Sequence, residues 1–136
     1  LGFQLRPAAR DGFGGRLQEQ GTRLLKRLPV YFDGYTPEAS LLHGDLWGGN
    51  WASCDGEPVI FDPAVYFGDR ESDLAMTRLF GGFGRAFYDA YQAAWPLAPG
   101  HPERCDIYQL YHVLNHLNLF GSAYLGRAQA LIDRLT

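Results

Sequence analysis

A chain of 136 residues is long enough for one domain with a hydrophobic core and too short for two, so we expect a single domain over residues 1–136. Hydrophobic residues make up 46% and charged residues 20%, which is typical of a soluble globular protein and excludes a disordered one. The net charge of −3, without an extended run of Lys or Arg, predicts neither a nucleic acid nor an anionic membrane surface as partner.

Several sequence features bear on location. No apolar run approaches the ~18 residues of a membrane span, and the N-terminus has no signal-peptide pattern. Cys54 and Cys105 form no CxxC pair, which indicates free thiols in a reducing compartment. We therefore expect a cytoplasmic protein. The chain also lacks an initiator Met, which indicates that it begins inside a longer protein.

Helical patterns characterise the first part of the chain. Residues 10–15 are glycine-rich, but no strand pattern precedes them, so a connector is favoured over a phosphate-binding loop. Leucines between positions 17 and 28 share one face of a helix that Pro29 should end. The segment 36–39 offers a threonine cap followed by a proline, and this predicts a short turn of helix.

A β-hairpin is predicted further along the chain. Residues 50–53 and 58–62 are short, strand-like runs that flank a glycine-containing turn, and the second run is β-branched and aromatic. A hairpin folds the chain back on itself. Asn50, at the start of the first strand, should therefore approach Asp62, at the end of the second.

Most of the remaining chain is predicted to be helical. Residues 63–70 form a loop, and Ser72 caps a helix that the glycine pair 81–82 ends. Further helices are expected over three segments, residues 83–95, 103–124 and 126–135. Trp51 and Trp95 are expected in the core. The fold class is therefore α+β and mostly helical, with one small β-hairpin.

The side chains of Asp45, Asn50 and Asp62 suit phosphoryl transfer. Asp45 can accept the proton of an attacking hydroxyl and orient that hydroxyl toward the γ-phosphate of ATP. Asn50 and Asp62 supply hard oxygen ligands for Mg²⁺, which binds few protein oxygens and completes its shell with water and phosphate. A lone Asp or Asn in a loop is usually only a turn former, so the prediction depends on these residues meeting at one point.

Other candidate residues are assigned supporting roles. His43 is expected to brace the loop by hydrogen bonds rather than to transfer protons. Asp73 is expected to accept hydrogen bonds from backbone amides of the same loop. His112 and His116 lie four apart on a helix, a spacing at which two histidines can share zinc. No third ligand accompanies them, so packing with hydrogen bonds is favoured, and their role is left open.

Two segments are distinctive, residues 43–50, HGDLWGGN, and residues 62–76, DPAVYFGDRESDLAM. Together they resemble the fructosamine kinase family, which is related to aminoglycoside phosphotransferases and choline kinases. The histidine-glycine-aspartate motif is common to that wider superfamily, whereas Trp47 and the 62–76 segment are much more specific to the fructosamine kinases. The similarity continues in residues 108–121 and covers most of the chain.

The resemblance implies the C-terminal lobe of a protein-kinase-like fold, with its catalytic and metal-binding loops on the hairpin. It implies ATP-dependent phosphorylation of the sugar 3-hydroxyl of ketosamines, as small molecules or on glycated proteins. Asp45 would be the base, Asn50 and Asp62 the Mg²⁺ ligands, and Trp47 a wall of the sugar pocket. The family's N-terminal nucleotide-binding lobe is not recognisable in these residues, so we expect them to be inactive by themselves.

Two alternatives are open at this point. One is another small-molecule kinase, of the aminoglycoside or choline kinase type, although Trp47 and the 62–76 segment argue against it. The other is a truncated, non-catalytic module for binding or association. Apolar surface exposed where the other lobe would dock could drive such self-association.

Overall fold

The structure, a computed structural model, describes all residues from Leu1 to Thr136. The chain forms two units, one of residues 1–34 with 102–136 and one of residues 35–101. We call the first the helical unit and the second the mixed unit, and we describe each by itself. The expectation of a single domain stays a prediction. The predicted fold class is confirmed, because helices predominate and the strands form small antiparallel sheets.

The helical unit is built from helices that surround a leucine-rich core. Its elements are α1 (Gly2–Arg10), α2 (Arg16–Tyr31), α5 (His101–Phe120), a 3-10 turn (Ser122–Tyr124) and α6 (Leu125–Leu135). Leu17 and Leu24, on the predicted apolar face of α2, are buried, and burial of each contributes about 1.5–3 kcal/mol to stability. Gly21 lies on the same face, and a Cβ there would be 2.7 Å from the side chain of Leu5. The glycine therefore allows α1 and α2 to pack closely. No helix, including the 20-residue α5, has both the length and the hydropathy to cross a membrane.

The helix boundaries in this unit differ from the predicted ones at specific residues. α1 was not predicted, because nine residues are too few to show a clear apolar period. α2 continues past Pro29 to Tyr31, since the proline lies in the last turn and the N–H of Phe32 closes that turn on the Pro29 carbonyl at 3.2 Å. α5 ends at Phe120 rather than near residue 124, because Gly121 has a φ of +88° and leaves the helical conformation.

The mixed unit contains two separate two-stranded antiparallel sheets and two helices. Its elements are β1 (Ala39–Leu42), β2 (Trp51–Cys54), β3 (Glu57–Ile60), β4 (Tyr66–Asp69), α3 (Glu71–Leu79) and α4 (Arg85–Ala94). β2 and β3 form the predicted hairpin, in which Trp51 pairs with Ile60. β1 pairs with β4, with Leu42 opposite Tyr66. Because β1 and β4 bracket the hairpin in sequence, their pairing brings together the two ends of the segment between them.

Three local predictions for the mixed unit are wrong. Residues 36–38 are not helical and β1 begins at Ala39, whereas β4 occupies half of the expected 63–70 loop. The two strands stabilise each other across a long sequence separation, which a local pattern cannot reveal. Ser72 does not cap α3, because the helix begins at Glu71, whose N–H donates to Asp69 Oδ1 at 2.9 Å.

Neither of the two tryptophans that were expected in the core is fully buried. Trp95 is 42% exposed, and the guanidinium of Arg70 lies over its ring at 4.0 Å from the ring centre. The same guanidinium donates hydrogen bonds to the carbonyls of Trp95 and Pro96 at 2.8 and 2.7 Å. Trp51 is half-buried, and its Nε1 donates to the carbonyl of Gly82 at 3.1 Å. Both rings therefore make specific polar or cation–π contacts instead of filling the core.

Gly44 marks the closest approach between the two loops that leave β1 and enter β4. Its φ is +81°, a conformation that L side chains rarely adopt, and a Cβ would lie 2.8 Å from the carbonyl carbon of Ala64. The N–H of Ala64 donates to the His43 carbonyl at 2.8 Å. Only glycine therefore allows the backbones to come this close.

We predict that Gly44→Ala destabilises the fold far more than Gly56→Ala. Gly56 has a similar φ of +84° but no atom within 4 Å of the position of a Cβ, so its substitution should cost only the left-handed conformation, about 1–2 kcal/mol. Gly44→Ala adds steric overlap with backbone atoms and should cost about 3 kcal/mol or more. Urea unfolding of both variants measures the difference, and equal losses would contradict the close approach.

Candidate active site

The loop between β1 and β2, residues 43–50, carries most of the predicted site. It is held in a compact turn by backbone hydrogen bonds from Trp47 N–H to the Asp45 carbonyl at 3.1 Å and from Asn50 N–H to the Trp47 carbonyl at 2.9 Å. Because β1 and β2 belong to different sheets, the loop passes from one sheet to the other. Its conformation consequently depends on contacts with the segments around it.

His43 uses all of its polar atoms to join this loop to its neighbours. Its carbonyl accepts from Ala64 N–H, its Nε2 lies 2.8 Å from the carbonyl of Phe61, and its Nδ1 lies 3.3 Å from the amide of Asp45. Since the Asp45 amide can only donate, Nδ1 must accept, and Nε2 carries the hydrogen that is donated to Phe61. These partners assign a neutral ring in a bracing position.

Asp73, in the first turn of α3, holds the start of the loop from the other side. Its two carboxylate oxygens accept hydrogen bonds from the backbone N–H groups of His43, at 2.7 Å, and Gly44, at 3.0 Å. Hydrogen bonds to a charged acceptor stabilise by roughly twice as much as neutral ones. The helix that begins at Glu71 therefore fixes the backbone immediately before Asp45.

Asp45 and Asn50 lie side by side. Asn50 Nδ2 donates to the backbone carbonyl of Asp45 at 2.9 Å and to Asp45 Oδ2 at 3.1 Å, and Asn50 is buried. Both amide hydrogens are thus used, and Asn50 Oδ1 accepts no hydrogen bond within the chain. Asp45 Oδ1 is also without a hydrogen bond. The pair consequently presents two oxygens that can still take a proton, a donor or a cation.

Asp62 lies two residues after β3, and the residue before it, Phe61, is hydrogen-bonded to Asn50. The N–H of Phe61 donates to the Asn50 carbonyl at 3.0 Å, which extends the hairpin by one pair and puts Asp62 next to the end of that ladder. Asp62 has a φ of +50°, which Asp tolerates better than most residues. It is exposed, and its carboxylate forms no hydrogen bond or ion pair. Its geometry therefore leaves a free carboxylate beside the Asn50 strand.

Trp47 lies at the surface of the loop and contacts a residue that sequence analysis did not select. Its ring is 41% exposed and meets the ring of Phe80 edge-to-face, with centroids 6.4 Å apart. Phe80 follows α3, in a segment that the sequence marked only as the end of a helix. The glycine pair 81–82 between two phenylalanines was the available signal, since adjacent glycines permit close backbone approach as well as a turn.

The donor set of Asn50 and Asp62 fits a hard cation such as Mg²⁺. An uncommitted amide oxygen and an uncommitted carboxylate are oxygen ligands of the kind that this ion prefers, with water or phosphate completing the shell. No three His, Cys, Asp or Glu side chains are grouped so that they could hold a metal ion by themselves. The two histidines of α5 that are four residues apart contact each other within the helix, where His116 Nδ1 lies 2.7 Å from the carbonyl of His112.

We predict that Asp73→Asn lowers the free energy of unfolding by about 1–3 kcal/mol, because an amide can accept from only one of the two backbone N–H groups and places its own donor against the other. Asp89→Asn is the control. That aspartate is exposed and pairs only with Arg85, so its loss should cost about 0.3–0.5 kcal/mol. Urea unfolding of both variants measures the costs, and an Asp73→Asn loss no larger than the control would contradict the bracing role.

Comparisons with known proteins identify the family to which this chain is similar. The family model for fructosamine kinase matches residues 1–136. A probable ketoamine kinase from Vibrio parahaemolyticus is 59% identical over 101 residues, which are 74% of this chain and 35% of that protein. A chloroplastic protein-ribulosamine 3-kinase from Oryza sativa subsp. indica is 46% identical over 134 residues, which are 98% of this chain and 39% of that protein.

Solved structures agree with these relatives. A crystal structure described as a fructosamine-3-kinase from Thermobifida fusca superposes with a TM-score of 0.85 at 35% identity, over 97% of this chain and 46% of that one. The chain thus spans less than half the length of these relatives. Because the family model covers every residue and the sequence and structure comparisons agree, this chain belongs to the fructosamine kinase family.

Proposed function

We propose that this chain carries the catalytic residues for ATP-dependent phosphorylation of a sugar hydroxyl in ketosamines. The observation that carries the proposal is the Asp45–Asn50 pair, in which one carboxylate oxygen is held by the Asn50 amide at 3.1 Å and the other is free. A carboxylate fixed in this way is oriented for one particular hydroxyl. Catalysis of phosphoryl transfer depends largely on such positioning and on neutralisation of charge.

In the proposed reaction the substrate hydroxyl attacks the γ-phosphorus of ATP. The bond between that phosphorus and its bridging oxygen breaks, ADP leaves with the bonding electrons, and the hydroxyl proton passes to the free carboxylate oxygen of Asp45. Bound Mg²⁺ would neutralise charge on the phosphate oxygens. Asn50 and Asp62 would hold that ion, while His43 and Asp73 keep the backbone of the loop in place.

The proposed substrate class rests on the relatives and on Trp47. Ketoamine kinase and protein-ribulosamine 3-kinase are the names of the related proteins, so ketosamine small molecules and glycated proteins are the proposed substrates. An exposed indole two residues after the base offers an apolar surface to the C–H face of a sugar. Kinases of the aminoglycoside or choline type are less favoured, since the related proteins above are named for ketoamines and ribulosamines. The expected cytoplasmic location stays a prediction, and the rice relative is described as chloroplastic.

A role in association is the second candidate, and one surface favours it. Leu41 and Phe67 are cross-strand partners of the β1–β4 sheet and are 64% and 73% exposed. Paired apolar side chains with this exposure are typical of surfaces that another protein segment covers. An interaction there would be compatible with catalysis, because neither residue belongs to the 43–50 loop.

We predict that Asp45→Asn in the full-length gene product lowers kcat for ketosamine phosphorylation by about a thousandfold, because an amide cannot accept the hydroxyl proton. Coupled ADP release with fructoselysine as substrate measures kcat, and circular dichroism verifies that the variant is folded. Wild-type activity in a folded Asp45→Asn variant would contradict the proposed base.

We further predict that Asp62→Asn raises the Mg²⁺ concentration for half-maximal activity about tenfold or more, because one anionic ligand becomes neutral. Asp55→Asn is a matched control, since Asp55 has nearly the same φ, 52° against 50°, and lies in the exposed hairpin turn. A Mg²⁺ titration at saturating ATP compares them. Identical Mg²⁺ requirements in both variants would remove Asp62 from the metal site.

A further inference from the structure

The segment after α3, residues 80–83, lies directly against the 43–50 loop. A Cβ on Gly48 would be 3.0 Å from the carbonyl oxygen of Gly81, and a Cβ on Gly82 would be 2.8 Å from the Cα of Gly48. Trp51 Nε1 donates to the Gly82 carbonyl at 3.1 Å. Backbone contact between glycines and one side-chain hydrogen bond therefore fix this segment beside the loop that carries Asp45.

Two neighbours, Gly49 and Phe80, restrain the indole of Trp47. Its six-membered ring folds back over Gly49, where a Cβ would overlap it and lie 2.7 Å from Cζ3. The ring of Phe80 also meets it edge-to-face, at an interplanar angle of 76°. Edge-to-face pairs stabilise by about 0.5–1.5 kcal/mol beyond the burial of area. The side chain is thus restrained in one orientation.

The restraint leaves part of the indole accessible. Trp47 and Phe80 are 41% and 40% exposed, so their mutual contact does not bury either ring. A tryptophan that served only to pack the loop would be expected to lose nearly all of its exposed surface. An indole that is restrained by its neighbours but still accessible can instead receive a ligand without first losing rotational freedom, which improves affinity.

We propose that Phe80 is a positioning residue for the ketosamine, because it orients the Trp47 indole against which the sugar stacks. The proposal rests on the proposed function. Gly49 has the complementary role of leaving space for the indole, since a Cβ there would overlap the ring. Stacking of the sugar on a ring fixed two residues from Asp45 limits which hydroxyl the carboxylate can reach, so Phe80 contributes to sugar selectivity through Trp47.

The test compares kinetic constants of Phe80 variants in the full-length gene product. We expect Phe80→Ala to raise the KM for fructoselysine about tenfold, the effect of losing one aromatic contact, while the KM for ATP changes less than about twofold. Phe80→Tyr keeps the ring edge and should restore the wild-type KM. Gly49→Ala should raise the same KM, since the added methyl group displaces the indole. Phe3→Ala, on an exposed position of α1, is the matched control.

Every outcome either supports or overturns the positioning role of Phe80. Equal changes of both KM values, an effect on kcat alone, or no effect in a folded Phe80→Ala variant would overturn the positioning role. If Phe80→Ala fails to fold, Phe80→Leu keeps apolar volume without a ring edge and must show the same selective rise in KM. A wild-type protein that phosphorylates no ketosamine would overturn the proposed function and this inference with it, whereas an active wild type with normal Phe80 variants overturns the inference alone.

Discussion

The hydrogen bonds of His43 are the constraint on which the geometry of the mixed unit depends. One residue joins three segments: its amide is held by Asp73 of α3, its carbonyl by Ala64, and its ring by the Phe61 carbonyl. A buried polar group is stabilising only when all of its partners are present, and here each atom has one. The loop with Asp45 and the segment with Asp62 are consequently held in a fixed relation although they belong to different sheet connections.

Polar atoms around this histidine divide into two classes. Those that support the backbone are satisfied, including both oxygens of Asp73 and both amide hydrogens of Asn50. Those that we propose to face the substrate or the cation are free, namely the remaining oxygens of Asp45 and Asn50 and the carboxylate of Asp62. Unsatisfied groups near the surface remain hydrated and cost little. The backbone of the loop is therefore held by hydrogen bonds, while the oxygens of the proposed site keep no partner within the chain.

Local patterns predicted those elements whose stability is itself local. The β2–β3 hairpin follows from a glycine-containing turn between apolar runs, and α2 follows from its amphipathic period. The β1–β4 sheet was missed, since the pairing of Leu42 with Tyr66 depends on contacts that form only when the intervening chain has folded. For the same reason the segment 36–39 was assigned to a helix, although its last residue begins β1.

By itself the sequence determined which groups are chemically competent: the carboxylates and the amide at positions 45, 50 and 62, with a histidine and an indole beside them. That follows because residue type and spacing define acids, ligands and turns. Only the tertiary structure decided how they are held, because hydrogen bonds such as those of Asp73 and close approaches such as that of Gly44 to Ala64 join positions far apart in the chain. The contact of Phe80 with Trp47 is of the same kind, since nothing local to either residue indicates the other.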